Sequence, residues 1–284
     1  MPIRVYKRTS AGRRNSSVNL HAEVTKTTPE KTLLRRQSKT AGRNNQGKIT
    51  VWGRGGGHKR RYRAIDWKRN LDGIPAKVIG IEYDPNRSAH LALLEYETGE
   101  RRYIIAPKGI KDGEVLLSGR TRIEPKVGNC MPLKYIPTGL NVHCLEMVAG
   151  KGGQLCRAAG MSARLTNREE KWATIVMPSG ELRQVSVECR ATIGEVGNAD
   201  HQQVRLGKAG RSRHKGRKPK TRGMVRNHYD HPLGGGEGKS KGGRAPAGKT
   251  GVFAKGGRTR KRKLASNKRI IRRRRSKRYG QLTL

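Results

Sequence analysis

Ala76-Lys77-Val78-Ile79-Gly80-Ile81-Glu82-Tyr83, halted by Asp84-Pro85-Asn86, is a β-prone run too short for a helix and closed by turn-forming residues. Residues 90–96 and 101–106 follow and flank Glu97-Thr98-Gly99-Glu100, the pattern of an antiparallel hairpin with a four-residue turn. The same pattern returns where residues 171–177 and 182–187 flank Pro178-Ser179-Gly180-Glu181. Residues 188–197 read as a closing strand. Short strands punctuated by Gly and Pro predict small β-barrels and not a helical bundle. The pattern breaks and restarts near Gly128-Asn129, which predicts a boundary between β-domains at 41–127 and 128–200.

Outside these domains the chain changes character. Residues 1–74 carry 19 Lys and Arg against four acids, residues 75–200 carry 17 against 15, and residues 201–284 carry 28 against two. The whole 284-residue chain has a formal charge of +43. A nearly neutral centre is flanked by basic extensions, 1–40 and 201–284. A field of this size calls for a polyanionic partner. With 33% hydrophobic residues, only part of the chain can bury a core. The C-terminal extension holds 15 glycines from residue 205 onward, so it is expected to order only when phosphates neutralise it. Residues 267–278 are the one stretch where a helix is expected there, and only in contact with anions.

Several classes of function are disfavoured. No apolar run approaches the ~20 residues of a spanning helix, and Met1-Pro2-Ile3-Arg4-Val5-Tyr6-Lys7-Arg8 lacks the apolar core of a secretion signal. A cytosolic protein with no membrane partner is expected. Cys130, Cys144, Cys156 and Cys189 are too irregularly spaced for a zinc ribbon or a redox pair, and they read as small buried apolar residues. No metal or cofactor is expected. A chromatin-condensing protein would show Lys/Ala repeats and no neutral centre.

Two motifs carry binding chemistry. Gly42-Arg43-Asn44-Asn45-Gln46-Gly47-Lys48-Ile49-Thr50 leads into Arg54-Gly55-Gly56-Gly57-His58-Lys59-Arg60-Arg61-Tyr62-Arg63. Arg43, Arg60, Arg61 and Arg63 offer guanidinium forks for phosphate, with His58 and Lys59 beside them. Asn44 and Asn45 can bond base edges, Tyr62 can stack on an unpaired base, and the glycines permit close backbone approach. In Gly150-Lys151-Gly152-Gly153-Gln154-Leu155-Cys156-Arg157, backbone N–H groups together with Lys151, Gln154 and Arg157 are expected to meet phosphate.

Two other motifs invite catalytic readings. Gly243-Arg244-Ala245-Pro246-Ala247-Gly248-Lys249-Thr250 satisfies the P-loop pattern. That pattern works only between a strand and a helix, and neither is expected in this glycine-rich context. His228-Tyr229-Asp230-His231-Pro232-Leu233-Gly234-Gly235-Gly236-Glu237-Gly238 could hold a general base or a metal. It could equally be a glycine-rich turn in which His231 contacts RNA, and with no nucleophile tied to it the turn is the better reading.

Together these segments resemble the bacterial type of the universal second protein of the large ribosomal subunit, the L-two family. The resemblance is carried by residues 42–50, Gly55-Gly56-Gly57-His58-Lys59, Glu82-Tyr83-Asp84-Pro85-Asn86-Arg87-Ser88-Ala89, residues 99–107, 150–155 and 191–198, Gly207-Lys208-Ala209-Gly210-Arg211, and Asp230-His231-Pro232 with residues 234–238. It implies an OB-like barrel followed by an SH3-like barrel, with basic extensions reaching toward the peptidyl transferase region. It also implies a binder of large-subunit ribosomal RNA that meets other ribosomal proteins and supports association with the small subunit and its RNA, tRNA binding and peptide bond formation. Direct participation of His231 is the alternative it raises. Lys208, Arg211, Arg213 and Arg222 are expected RNA contacts at the start of the C-terminal extension. Lys268, Arg269, Arg272, Arg273 and Arg274 are expected contacts near its end. The chain departs from the family where Trp52-Gly53 replaces Arg-His, His214 replaces a tryptophan, Leu233 replaces a histidine and Lys249-Thr250-Gly251 replaces Pro-Trp-Gly.

Overall fold

A computed structural model describes residues 2–238, 244–254, 259–261, 263–276 and 280–281, with side chains through Arg274. The chain divides into two units. The first comprises Met1–Gln37, Lys59–Lys208 and Ala265–Leu284, and the second Ser38–His58 and Ala209–Leu264.

The first unit is mainly β, an OB-like barrel followed by an SH3-like barrel. Its strands begin with β1 (Ile3–Val5), β2 (Ser17–Asn19), β3 (Leu34–Arg36) and β4 (Arg61–Arg63). Then come β5 (Ala76–Glu82), β6 (Leu91–Tyr96), β7 (Arg101–Ile105) and β8 (Val115–Leu116). These last four form a sheet in the order β7-β6-β5-β8, and β3 pairs with β4. Both faces of the β5–β7 sheet are covered. Ala92, Leu94 and Ile104 meet Ala76, Val78 and Leu116 on one face. Leu91, Leu93, Tyr103 and Ile105 meet Val196 and Trp67 on the other. Double burial explains the unbroken apolar run Leu91-Ala92-Leu93-Leu94, since neither face needs polar side chains. The turn at 97–100 is closed by the Gly99 N–H donating to the Tyr96 carbonyl at 2.8 Å. Gly99 has φ +79°, which a side chain would resist.

A buried polar post fastens the N-terminal segment to this barrel. The Tyr103 hydroxyl donates to Glu82 Oε2 at 2.5 Å and accepts from the Glu30 N–H at 2.8 Å. Lys26 Nζ lies 3.6 Å from the same carboxylate. Burial pushes the Glu82 carboxyl up and the Tyr103 hydroxyl with it. The Thr25 and Lys26 amides both reach the Ile81 carbonyl, a crossing allowed because Gly80 brings no Cβ against Lys26.

The second barrel contains β9 (Cys130–Pro132), β10 (Asn141–His143), β11 (Ala163–Arg168), β12 (Trp172–Val176), β13 (Leu182–Ser186), β14 (Arg190–Ile193) and β15 (Ile270–Arg272). Its sheet runs β15-β13-β12-β11-β10-β14-β9, antiparallel throughout. The β12–β13 hairpin pairs Trp172 with Ser186 and Val176 with Leu182, as the sequence pattern predicts. The core gathers Met131, Val142, Leu165, Ile175, Val185 and Ile193. Arg190 joins the two barrels by a bidentate pair with Asp72 at 2.8 and 2.9 Å and a bond to the Arg69 carbonyl.

The stretch 267–278, a helix candidate only in contact with anions, is not α-helical over its described residues 267–276. Ala265–Arg269 is a 3-10 turn, and Ile270–Arg272 adds a strand to β13. Ile270 is buried, and Arg269 stacks over Trp172 with its guanidinium carbon 3.4 Å from the ring centroid. A helix would set successive cations on one face at i and i+4, whereas a strand separates them and buries the β-branched Ile270. Residues 277 and 278 of that stretch lie outside the described residues.

His143 on β10 is completely buried, with Nδ1 3.2 Å from the Gly194 carbonyl and no partner for Nε2. Desolvation holds its pKa down to about 4, against a usual value of 6.5. A depressed folded-state pKa gives stability that is present above pH 6.5 and lost as the pH falls toward 4. Linkage puts the loss at about 3 kcal/mol. The urea midpoint of the full chain should fall over this window, and His143→Gln should flatten that part of the fall.

Candidate nucleic-acid interface

The second unit has no buried apolar cluster among its described residues, since every core residue lies in the first. It carries 22 Lys and Arg against two acids, Asp230 and Glu237. Backbone bonds and tight turns hold it. The Gly55 N–H donates to the Gly216 carbonyl at 3.1 Å, and the His58 N–H to the His214 carbonyl at 2.9 Å. A Cβ at Gly57 would come within 2.7 Å of the Gly216 nitrogen. The triple glycine therefore serves a crossing of two protein backbones, a partner that sequence reasoning did not identify.

The 42–50 segment is a closed turn. Thr50 and Val51 N–H groups both donate to the Gly42 carbonyl at 3.0 Å. Asn44 Oδ1 accepts from the Gln46 and Lys48 amides at 3.1 and 2.9 Å, so its acceptor shapes the turn and is not free for a base. Arg43 and Asn45 remain exposed on it, and His58 is exposed at the far end of the segment. Arg211 and Arg213 lie on a six-residue helix, Ala209–His214, with Arg213 exposed and Arg211 half-buried. Arg222 is also exposed.

His231 is buried at 9% exposure. Its ring packs so closely on Gly223 that a Cβ there would lie 2.3 Å from it. Its Nδ1 accepts the Leu233 N–H at 3.1 Å. Turn geometry fixes this imidazole without a hydrophobic core. The P-loop pattern also fails on geometry. Residues 246–254 form a hairpin-like turn, with the Gly248 N–H on the Val252 carbonyl and the Ala254 N–H on the Pro246 carbonyl. No helix follows Lys249 in the described residues 250–254, and Gly243 lies outside the described residues.

In the first unit, Lys59 and Arg61 are exposed, while Arg60 and Tyr62 are half-buried. The Arg87 guanidinium lies 5.9 Å from the Tyr62 ring. Arg63 turns inward at 8% exposure, 3.6 Å from the buried Asp84 carboxylate. Of the 150–157 backbone amides expected to meet phosphate, those of residues 150–155 are bonded inside the protein. Glu146 takes the Gly150 and Gly152 N–H groups at 3.1 and 2.7 Å, Trp67 takes that of Gly153, and Leu145 takes that of Gln154. Lys151 and Arg157 keep exposed side chains, with the Arg157 guanidinium 4.6 Å from the Trp67 ring. Lys208, Lys268, Arg272 and Arg274 are exposed, and Arg273 is half-buried.

A family model described as "Ribosomal Proteins L2, RNA binding N-terminal domain" matches residues 30–118, and one described as "Ribosomal Proteins L2, C-terminal domain" matches residues 126–251. The chain belongs to the ribosomal protein L2 family. A large ribosomal subunit protein uL2 from Rhodopirellula baltica is 56% identical over 285 residues, covering 100% of this chain and 99% of the relative. At two positions where this L2-family chain departs from the expected pattern, the backbone does the structural work. His214 supplies the carbonyl for His58, and Leu233 supplies the N–H for His231.

Gly223→Ala should force the His231 ring out of its seat and open the 222–234 turn. Trypsin should then cut after Arg222 and Arg226 faster in the full chain, with cleavage in the barrels unchanged.

Proposed function

We propose that this L2-family chain, an RNA-binding constituent of the large ribosomal subunit, works as an architectural clamp that uses side chains to hold ribosomal RNA. The observation that carries this reading is the second unit itself, with 22 cations, two acids and no apolar core among its described residues. Such a unit gains its stability from phosphate neutralisation. The proposed contacts are Arg43, Asn45, His58, Arg211, Arg213 and Arg222 in the second unit. In the first they are Lys59, Arg60, Arg61, Tyr62, Lys151, Gln154, Arg157, Lys208, Lys268, Arg269 and the arginines 272–274. Asn44 and Arg63 act one step back, shaping the turn and pairing with Asp84. Other ribosomal proteins and, across the subunit interface, small-subunit RNA complete the proposed partners. Support of subunit association, tRNA binding and peptide bond formation would follow from the RNA geometry that the clamp maintains.

Affinity for large-subunit ribosomal RNA should fall ~10³-fold or more between 50 and 200 mM salt if six or more phosphates are engaged. A binding isotherm that barely moves over this range would refute the clamp.

The rival reading, direct chemistry by His231, meets a geometric objection. With Nδ1 accepting the Leu233 N–H, the neutral ring carries its proton on Nε2 and presents a donor, not a base. His231→Gln and His231→Ala in assembled ribosomes should leave single-turnover peptide bond formation within about tenfold, with the pH profile unchanged. General acid–base help is typically worth ~10²–10⁴-fold, so a loss of ~10³-fold with an abolished pH dependence would favour the rival.

A further inference from the structure

Trp52 stands where the family resemblance leads to an arginine, and it occupies an unusual setting. The chain has three tryptophans, and each carries at least one cation over its ring. Trp67 and Trp172 are half-buried in the barrels. Trp52 is 47% exposed, with Lys249 Nζ 4.4 Å and the Arg226 guanidinium 5.5 Å from its ring centroid. Bringing two like charges to one indole is unfavourable without an anion, and no carboxylate pairs with either cation among the described residues.

The position is also pre-organised. The Val51 amide is tied to the Gly42 carbonyl, and the Gly53 carbonyl accepts the Lys218 N–H at 3.0 Å, so Trp52 is held between two backbone anchors. Lys249 sits at the tip of the 246–254 turn, and its one described contact is the indole. Moving its ammonium from ring to phosphate therefore breaks no ion pair.

We propose that Trp52, Arg226 and Lys249 form a slot for one unpaired nucleotide of ribosomal RNA. The base stacks on the indole, and the guanidinium and ammonium groups hold its phosphate. An aromatic face alone would suit many apolar partners, and cations alone would suit any polyanion. A nucleotide supplies the π-face and the charge at this spacing. The lysine of the P-loop-like pattern thus meets a phosphate without the strand–loop–helix cradle and without hydrolysis. This slot rests on the RNA-clamp reading and adds one stacking contact to it.

The test uses the full chain with two probes, large-subunit ribosomal RNA and polyphosphate, which carries the charge without bases. Trp52→Leu keeps apolar bulk but cannot stack. It should weaken RNA binding by about 5- to 150-fold, the range expected for one stacked base, and leave the polyphosphate affinity and the salt slope unchanged. Trp52→Tyr should stay close to the parent. Lys249→Ala and Arg226→Ala should each lower the salt slope on RNA by about one. RNA affinity of Trp52→Leu equal to the parent overturns the slot. So does an equal loss on both probes, since Trp52 would then only brace its turn. If the parent chain itself binds RNA without steep salt dependence, the clamp reading fails, and the slot fails with it.

Discussion

Twenty-two lysines and arginines in the second unit face two carboxylates, and among the described residues no buried apolar cluster offsets their mutual repulsion. Everything about that unit's construction answers this imbalance. Side-chain packing cannot hold it, so backbone does. Glycines let two chain segments cross within hydrogen-bonding distance, and Asn44 and His231 close turns with their own acceptors. Each of these contacts is short-range and leaves the cations outward. On the clamp reading, a scaffold held in this way aims its arginines at an external polyanion and draws its net stability from it.

The first unit solves the opposite problem. Its charges nearly balance where the barrels lie, and its buried carboxylates have partners within the fold. Glu82 with Tyr103, Asp84 with Arg87 and Asp72 with Arg190 are internal partnerships, each joining segments distant in sequence or stiffening a turn. The amides of the 150–154 loop are spent in the same way on Glu146, Trp67 and Leu145. That accounting changes how the protein can read RNA. A glycine-rich loop in sequence suggests a backbone nest for phosphate, but a nest whose N–H groups are already bonded has nothing to offer. On the clamp reading, recognition falls to side chains such as Lys151 and Arg157.

Arginine–tryptophan stacking recurs where charged segments meet the barrels. Trp67 carries Arg87 and Arg157, and Trp172 carries Arg269 beside the added strand Ile270–Arg272. Stacking satisfies one face of a guanidinium while its N–H edge remains able to bond phosphate. Such a residue can fix a basic segment to the protein and still contact RNA.

The sequence by itself determined the class of this protein. Turn residues at 97–100 and 178–181 between short β-prone runs specified hairpins because turn chemistry and short-run propensity are local properties, and the segregation of charge specified a polyanion because net charge needs no coordinates. Tertiary structure decided what each polar group does. Arg63, Asn44 and the 150–154 amides look like free binding groups in sequence. Asn44 and the Gly150 and Gly152 amides are taken by near neighbours once their turns close, the Gly153 amide by Trp67, and Arg63 by Asp84 in the turn after β5. The tail offers the same lesson. Residues 267–278 carry a helix-compatible pattern, and what selects a strand is the open edge of β13 and the apolar seat for Ile270, neither of which exists until the barrel has closed. Hydrogen-bond occupancy and edge pairing are set by the folded geometry, which is why they had to be read from the fold.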